Sequence, residues 1–279
     1  MNIENQVAVV TGGAAGIGQA ICQMLAQRGI RGIAVVDRSD QCHYVADQLN
    51  KLTKNTIAKG FQGDVTDAQF RQSVFHAMNE QFGRVRICIP AAGVLRDGMA
   101  IQIPKDTNDP SNPKDPAVKI YPEPDFRQTL EVNLMHPSYW AMQMMAGIAE
   151  QRMNEQLGPW RGDQPIQGVA ILVGSVSSRG NRGQVSYSAA KAGLNAVAAT
   201  LNSEGLYYGI QTKIIHPGFV KTAMTDAMPE HIFEQRIKPL IGLDRMITPE
   251  EIAEAVACLI ENPIINGQMW ADASLKAMI

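Results

Sequence analysis

The sequence predicts an α/β protein, a doubly wound parallel sheet of about seven strands with helices on both faces in three α/β/α layers. Three observations carry that expectation. Short apolar runs alternate with longer amphipathic segments along the chain, a glycine-rich loop directly follows the first run, and an aspartate closes the second. Alternating strands and helices cover a parallel sheet from both sides, and a glycine loop between strand and helix marks a ligand site at the carboxyl edge of the sheet.

The elements follow in order. Gln6–Thr11, Gly32–Asp37, Thr56–Phe61, Arg86–Ala91, Val169–Gly174 and Thr212–Pro217 are strand-length apolar runs and read as buried strands, with Gly267–Asp272 a weaker seventh. Helical patterns lie between them at Ile17–Arg28, Asp40–Leu52, Asp67–Phe82, Phe126–Gln156, Val185–Tyr208 and Pro249–Glu261. No repeat, low-complexity tract or linker divides the chain, so residues 1–279 are expected to form one domain. Two stretches break the rhythm. Residues 101–124 hold six of the fifteen prolines, and a long irregular insertion in a compact domain is usually functional or disordered. Residues 153–167 form a turn-rich extension whose Trp160 is expected to be a packing anchor.

Composition excludes several classes. A formal charge of -2 gives no electrostatic reason to expect nucleic acid or an anionic membrane surface. No apolar run reaches the length of a membrane span, and the N-terminus lacks the basic and apolar regions of a secretion signal. Cys22, Cys42, Cys88 and Cys258 are scattered without metal-ligand spacing, as are the five histidines. Free thiols in a reducing, cytoplasmic setting and no metal site are expected.

The loop "TGGAAGIG" (Thr11–Gly18) supplies the first chemistry. Gly12, Gly16 and Gly18 allow a tight turn and close approach of a ligand, while the helix opening near Ile17 offers unpaired N–H groups to a pyrophosphate. Asp37 ends the second strand about 20 residues on, the spacing of a Rossmann-type dinucleotide site. A carboxylate there bonds the ribose hydroxyls of NAD and repels the extra phosphate of NADP. Arg38 beside it would favour that phosphate, but Ala14 and Ala15 add no basic group in the loop, and NAD is the expected cofactor.

The second piece is "SYSAAKAG" (Ser186–Gly193), which sets Tyr187 and Lys191 one helical turn apart among small residues. Alone, such a pair is an ordinary surface feature. Beside a dinucleotide site it reads as chemistry: an ammonium favours the charged phenol and is expected to lower its pKa from about 10, making Tyr187 a proton carrier.

These motifs together resemble the short-chain dehydrogenase/reductase family, classical type, and the similarity runs from the first strand to the last. Asp64 and Val65 in "GDVTD" fall where family members hold the adenine ring. "AAGV" stands where the family has Asn-Asn-Ala-Gly, so Ala92 and Gly93 match while both asparagines are missing, with the hydrogen bond they support. Asn133 in "VNL" matches the asparagine that holds a water in the family's proton relay. Pro217, Gly218, Val220 and Thr222 in "HPGFVKT" match the segment lining the nicotinamide. Ser175 follows its strand like the family's catalytic serine, one residue nearer the tyrosine than usual, with Ser177 as the fallback.

The resemblance implies hydride transfer between NAD and a secondary alcohol or ketone. Ser175 would hold the substrate oxygen, Tyr187 would move its proton, Lys191 would tune Tyr187 and hold the nicotinamide ribose, and Asn133 with a water would reach solvent. It also implies a homotetramer, or failing that a homodimer, packed through the alanine-rich helix. Residues 223–247 resemble a substrate lid, with Phe219, Met224 and Met228 as substrate contacts, although a plain packing helix fits the same pattern. Arg179 and Arg182 border the substrate region and suit an anionic group, a solvated loop being the ordinary alternative. A 3-oxoacyl-thioester reductase would use the same four residues, normally with NADPH, and Asp37 weighs against it. A dehydratase or epimerase would show no net cofactor turnover. A nucleotide-sensing binding protein would keep the glycine loop and lose the catalytic set.

Overall fold

The structure, a computed structural model, describes residues 1–102, 118–222, 225 and 233–276. Its strands are β1 (Val7–Thr11), β2 (Gly32–Asp37), β3 (Ala58–Gln62), β4 (Ile87–Pro90), β5 (Ile101–Gln102), β6 (Lys119–Ile120), β7 (Gly168–Val173), β8 (Ile210–Pro217) and β9 (Gln268–Ala271). Seven of them form one sheet in the order β3-β2-β1-β4-β7-β8-β9, every pair parallel. The helices are α1 (Gly16–Gln27), α2 (Gln41–Thr53), α3 (Ala68–Phe82), α4 (Glu123–Leu130), α5 (His136–Asn154), α6 (Val185–Gly205) and α7 (Pro249–Glu261). All seven expected strands are present, each within two residues of its expected ends.

Alternation along the strands builds a core on each face. Ala8, Val10, Ile33 and Val35 pack with Ile21 and Leu25 of α1 and Val256 of α7. Val7, Val9, Ala34 and Val36 pack with Val74 of α3, Trp140 of α5 and Leu194 of α6. The chain winds outward from β1 to β3 in one direction and from β4 to β9 in the other. The reversal between β1 and β4 opens a crevice at their carboxyl ends, where doubly wound folds bind ligands.

Local sequence explains where helices begin. The Asp67 carboxylate caps α3 by accepting from Gln69 N (2.7 Å) and Phe70 N (3.1 Å). Thr248 and Glu251 form a capping box on α7, with Pro249 in its first turn. α1 is different: no side chain caps it, so its first N–H groups keep their capacity for a ligand.

The long helix expected over Phe126–Gln156 is not continuous. A π turn over Glu131–Met135 separates α4 from α5. Pro137 is the reason, because it has no N–H to close the regular bond onto the Asn133 carbonyl. Trp160 is the anchor expected of it: its indole donates to Pro165 O (3.0 Å) and covers Gly209 so closely that a β-carbon there would stand 2.4 Å from the ring. Cys22, Cys42 and Cys88 are buried, Cys258 is exposed, and all four are free. The insertion begins and ends in the antiparallel β5–β6 pair, its last residues open α4, and residues 103–117 lie outside the described residues. Among the described residues no helix is long and apolar enough to cross a membrane.

Candidate active site

The crevice between β1 and β4 is shaped for a nucleotide. Gly12 has φ 67°, and a β-carbon on it would stand 2.8 Å from Ala92 N; one on Gly18 would meet Gly12 O at 2.1 Å. Gly16 also has positive φ, and a β-carbon on it would stand 3.2 Å from Thr222 Cγ2. Ile17 follows in the first turn of α1, partly buried against the core. A cavity of about 310 Å³ runs from Gly12 past Asp37, Asp64 and Val65 to Ala92 and Gly93. This cradle, bounded by an uncapped helix start, fits a dinucleotide. Asp37 stands where the ribose is expected: Oδ2 accepts from Ala14 N (3.1 Å) and Oδ1 from Ser39 N (3.0 Å). Both oxygens keep lone pairs for hydroxyl donors. Asp64 is turned back on its own loop, accepting from Thr66 N (2.9 Å) and Thr66 Oγ1 (2.7 Å), and these bonds hold its carboxyl below the usual range. Arg38 lies 3.6 Å from Asp64, an exposed pair of little energetic weight. Val65 is buried, its carbonyl accepting from Trp140 Nε1 (2.8 Å).

Ser175, Tyr187 and Lys191 converge at the carboxyl end of β7. Ser175 Oγ accepts from Ser177 N (3.1 Å), and Ser175 lies close enough to the Tyr187 hydroxyl to favour its charged form. Ser177 points away: it is buried and donates to Gln184 Oε1 (2.8 Å), so of the two serines it is Ser175 that reaches the phenol. Lys191 lies below, its Nζ donating to Val173 O (2.7 Å) and standing 5.5 Å from the centroid of the Tyr187 ring. Here the structure corrects the expected titration. Burial pushes the Tyr187 phenol up to about 12, only partly opposed by Ser175, and Asp97 adds to the rise. Burial also brings Lys191 down to about 8, even though its ammonium donates to the Val173 carbonyl.

Asn133 sits in the π turn, fully buried, and both ends of its amide are committed to one residue: Nδ2 donates to Val94 O (2.9 Å) and Oδ1 accepts from Val94 N (3.1 Å). Gly93 must be glycine for this, since a β-carbon there would stand 2.8 Å from Asn133 Oδ1. The segment after β8 closes the far side. Gly218 N donates to Ala271 O (3.0 Å), Phe219 O accepts from Ile247 N (2.9 Å), and Val220 is buried. Pro217 ends β8, and Thr222 N donates to Thr225 Oγ1 (2.9 Å). Met224 and Met228 lie outside the described residues, as does part of the expected lid; among its described residues, Phe233–Ile237 forms a π turn and Lys238–Leu240 a 3-10 turn. Among the described residues no group of three or more His, Cys, Asp or Glu side chains is placed to hold a metal ion.

A family profile described as short chain dehydrogenase matches residues 6–232. The chain belongs to the short-chain dehydrogenase family. It is 30% identical to the 3-oxoacyl-(acyl-carrier-protein) reductase FabG of Vibrio cholerae over 93% of this chain and 91% of that protein. It is also 31% identical to the acetoacetyl-CoA reductase of a Synechocystis strain, over 98% of this chain and 95% of that protein. A solved structure, described as the crystal structure of gox2181, superposes with a TM-score of 0.79 over 97% of this chain and 95% of that one, at 22% identity.

Three features of this short-chain dehydrogenase escape sequence reasoning. Where the two family asparagines are missing, Thr11 Oγ1 accepts from Ala92 N (3.1 Å) and lies 2.9 Å from Nε2 of the buried His136, whose Nδ1 lies 2.9 Å from Val132 O. Only one set of protons satisfies all three groups: Ala92 N–H to Thr11, Thr11 O–H to Nε2, and Nδ1–H to Val132. Burial lowers the His136 pKa to about 3, so the ring stays neutral and β1, β4 and the π turn are tied without those asparagines. The second feature is Tyr121, whose hydroxyl bonds Ser186 Oγ (3.0 Å) and Arg96 O and so braces the end of the insertion against the residue preceding Tyr187. The third is a stack of His216, Trp270 and Arg179 behind Ser175. A histidine one turn after a helical asparagine, and one before Pro217, were the available signals; neither reveals its partner without the fold.

Proposed function

We propose that this short-chain dehydrogenase interconverts a secondary alcohol and a ketone with NAD, using Ser175, Tyr187, Lys191 and Asn133. The convergence of Ser175 and Tyr187 above Lys191 carries the reading. A substrate oxygen entering between the two hydroxyls accepts from Ser175 and exchanges its proton with Tyr187. At neutral pH a phenol with pKa near 12 is protonated, ready to donate in ketone reduction. Alcohol oxidation needs the phenolate, and the nearby charge of Lys191, also the ribose-holding group, favours it. Asn133 extends the relay through its main-chain carbonyl, because Val94 takes both ends of its side chain and Pro137 cannot bond that carbonyl. When bound, the nicotinamide supplies the hydride acceptor or donor. Gly12, Gly16, Ile17 and Gly18 hold its pyrophosphate, Asp37 the adenosine ribose, Asp64, Val65, Ala92 and Gly93 the adenine side, and Pro217, Gly218, Val220 and Thr222 the nicotinamide.

NAD rather than NADP is favoured by the Asp37 carboxylate, which two main-chain amides orient at the cavity wall. A second reading, 3-oxoacyl-thioester reduction, gains support from the names of the two curated relatives. It uses the same four groups. We further infer one domain over residues 1–279 and a homotetramer. Incubation with NAD and a panel of secondary alcohols, following NADH absorbance, tests the first reading; acetoacetyl thioester with NADH or NADPH tests the second. Consumption of NADPH with the thioester, and no oxidation of any alcohol, would replace the first reading by the second. Light scattering on the purified protein tests the tetramer.

A further inference from the structure

Behind Ser175 lies a cluster with no part in the proton chemistry. Ser175 caps a 3-10 turn that ends at Arg179. The Arg179 guanidinium carbon lies 3.7 Å from the centroid of the Trp270 ring, and the His216 ring stacks on the same indole at 4.1 Å with an interplanar angle of 15°. Two planar groups this close to one ring cannot share a face, so the indole is sandwiched between imidazole and guanidinium. His216 is fully buried, with Nδ1 3.2 Å from Ser175 N and 3.1 Å from Ser175 O. Gly174 is cut to fit it, for a β-carbon there would stand 2.4 Å from that nitrogen. The stack is therefore indexed to the main chain of Ser175.

Its outer member is the informative one. Arg28, Arg127 and Arg245 at the surface pair with glutamates, but Arg179 is exposed and has no ion-pair or hydrogen-bond partner among the described residues. Stacking holds the guanidinium plane and leaves its N–H edges unpaired. That is the arrangement in which arginine binds a carboxylate through two parallel hydrogen bonds, with little ordering cost left to meet. A 3-10 turn rises about 2.0 Å per residue, so Arg179 starts about 8 Å from Ser175, within reach of a substrate carrying its carboxylate a few atoms from the carbinol.

We propose that Arg179, held flat on Trp270, recognises a substrate carboxylate, so that the alcohol handled at Ser175 and Tyr187 belongs to a hydroxy acid. This deepens the proposed function and rests on it for turnover, but not for binding. The test compares 3-hydroxybutanoate and 3-hydroxyoctanoate with their ethyl esters. In NADH-formation kinetics, R179Q raises KM for the acids tenfold or more with a smaller effect on kcat and leaves the ester values unchanged. R179K, which keeps the charge and loses the flat stack, falls between. An equal effect on acid and ester, no effect on either, or the acid-selective loss appearing in R182Q instead would overturn the assignment. Tryptophan fluorescence, titrated with the same acids in the presence of NAD, needs no turnover. A saturable change in wild type that is lost in R179Q and W270F upholds the site even if no alcohol is oxidised, an outcome that would count against the proposed function alone. Oxidation of alcohols without any saturable response to either acid would remove the carboxylate site and leave the dehydrogenase reading standing.

Discussion

Buried between Thr11 and Val132, His136 makes acid stability a sharp test of the strand-tying network. The folded protein keeps the ring neutral down to about pH 3, whereas an unfolded chain protonates it near its ordinary value of 6.5. Below pH 6.5 the unfolded state thus binds one proton more, and stability falls as pH falls. Linkage sets the slope at about 1.4 kcal/mol per pH unit for one proton, so lowering the pH from 6.5 to 5 costs about 2 kcal/mol from this residue. His136→Gln removes the titration while keeping an acceptor for the Thr11 hydroxyl. At pH 7.5 the variant is less stable by about 1–3 kcal/mol, the cost of disturbing buried hydrogen bonds. The two stability curves then converge on acidification and cross near pH 5. Urea unfolding at fixed protein concentration and several pH values measures both, and taking the difference cancels contributions from other groups such as His216, whose pKa is also lowered by burial. A difference that stays flat between pH 6.5 and 4.5 would refute the picture of a neutral, buried ring.

Three further outcomes are expected. Tyr187→Phe retains fold and NAD binding and loses about 10²–10⁴-fold in kcat, because only the proton-carrying oxygen is removed; near-normal turnover on a true substrate would disprove the mechanism. Asp37→Ser weakens NAD and improves NADP: one charged hydrogen bond plus repulsion of the extra phosphate implies a wild-type preference of about a thousandfold, read as the ratio of kcat/KM for the two cofactors. Gly174→Ala, with its new carbon 2.4 Å from His216 Nδ1, costs about 1–3 kcal/mol of stability by overpacking and slows turnover through Ser175. Adding His216→Ala recovers much of that stability, so a double-mutant cycle on urea midpoints shows strong coupling, and additive effects would mean the two residues do not meet.

The fold was legible where local pattern suffices. Apolar runs of strand length, the glycine loop and Asp37 placed the parallel sheet, its strands and the nucleotide crevice, because each rests on the period and punctuation of a short segment. What depends on partners distant in sequence was not. His136 and Thr11 are separated by 125 positions and meet only once β1, β4 and the helix pack together. The π turn left a trace, Pro137 inside a helical pattern, and a stricter use of that proline would have broken the helix there. The pKa of Tyr187 is hidden from the sequence for a related reason: spacing shows that a lysine is near but not that burial outweighs it, nor that the Val173 carbonyl engages its ammonium.

That π turn makes the chain tolerant of one kind of heritable change and intolerant of another. A regular helix advances about 100° per residue, so one residue more or less between two fixed points rotates everything beyond by that amount. Before the turn, Thr129 is buried and bonded back to Asp125 O; after it, Trp140, Met144 and Ile148 fill the core. The wider turn sets the phase between these halves while aiming Asn133 at Val94 and His136 at Thr11. Substituting an outward residue such as Glu131 or Met135 leaves that phase intact. Losing a single codon there would restore an ideal helix and turn either the core side chains or the site side chains away from their targets, so this stretch should accept new letters but not a new length.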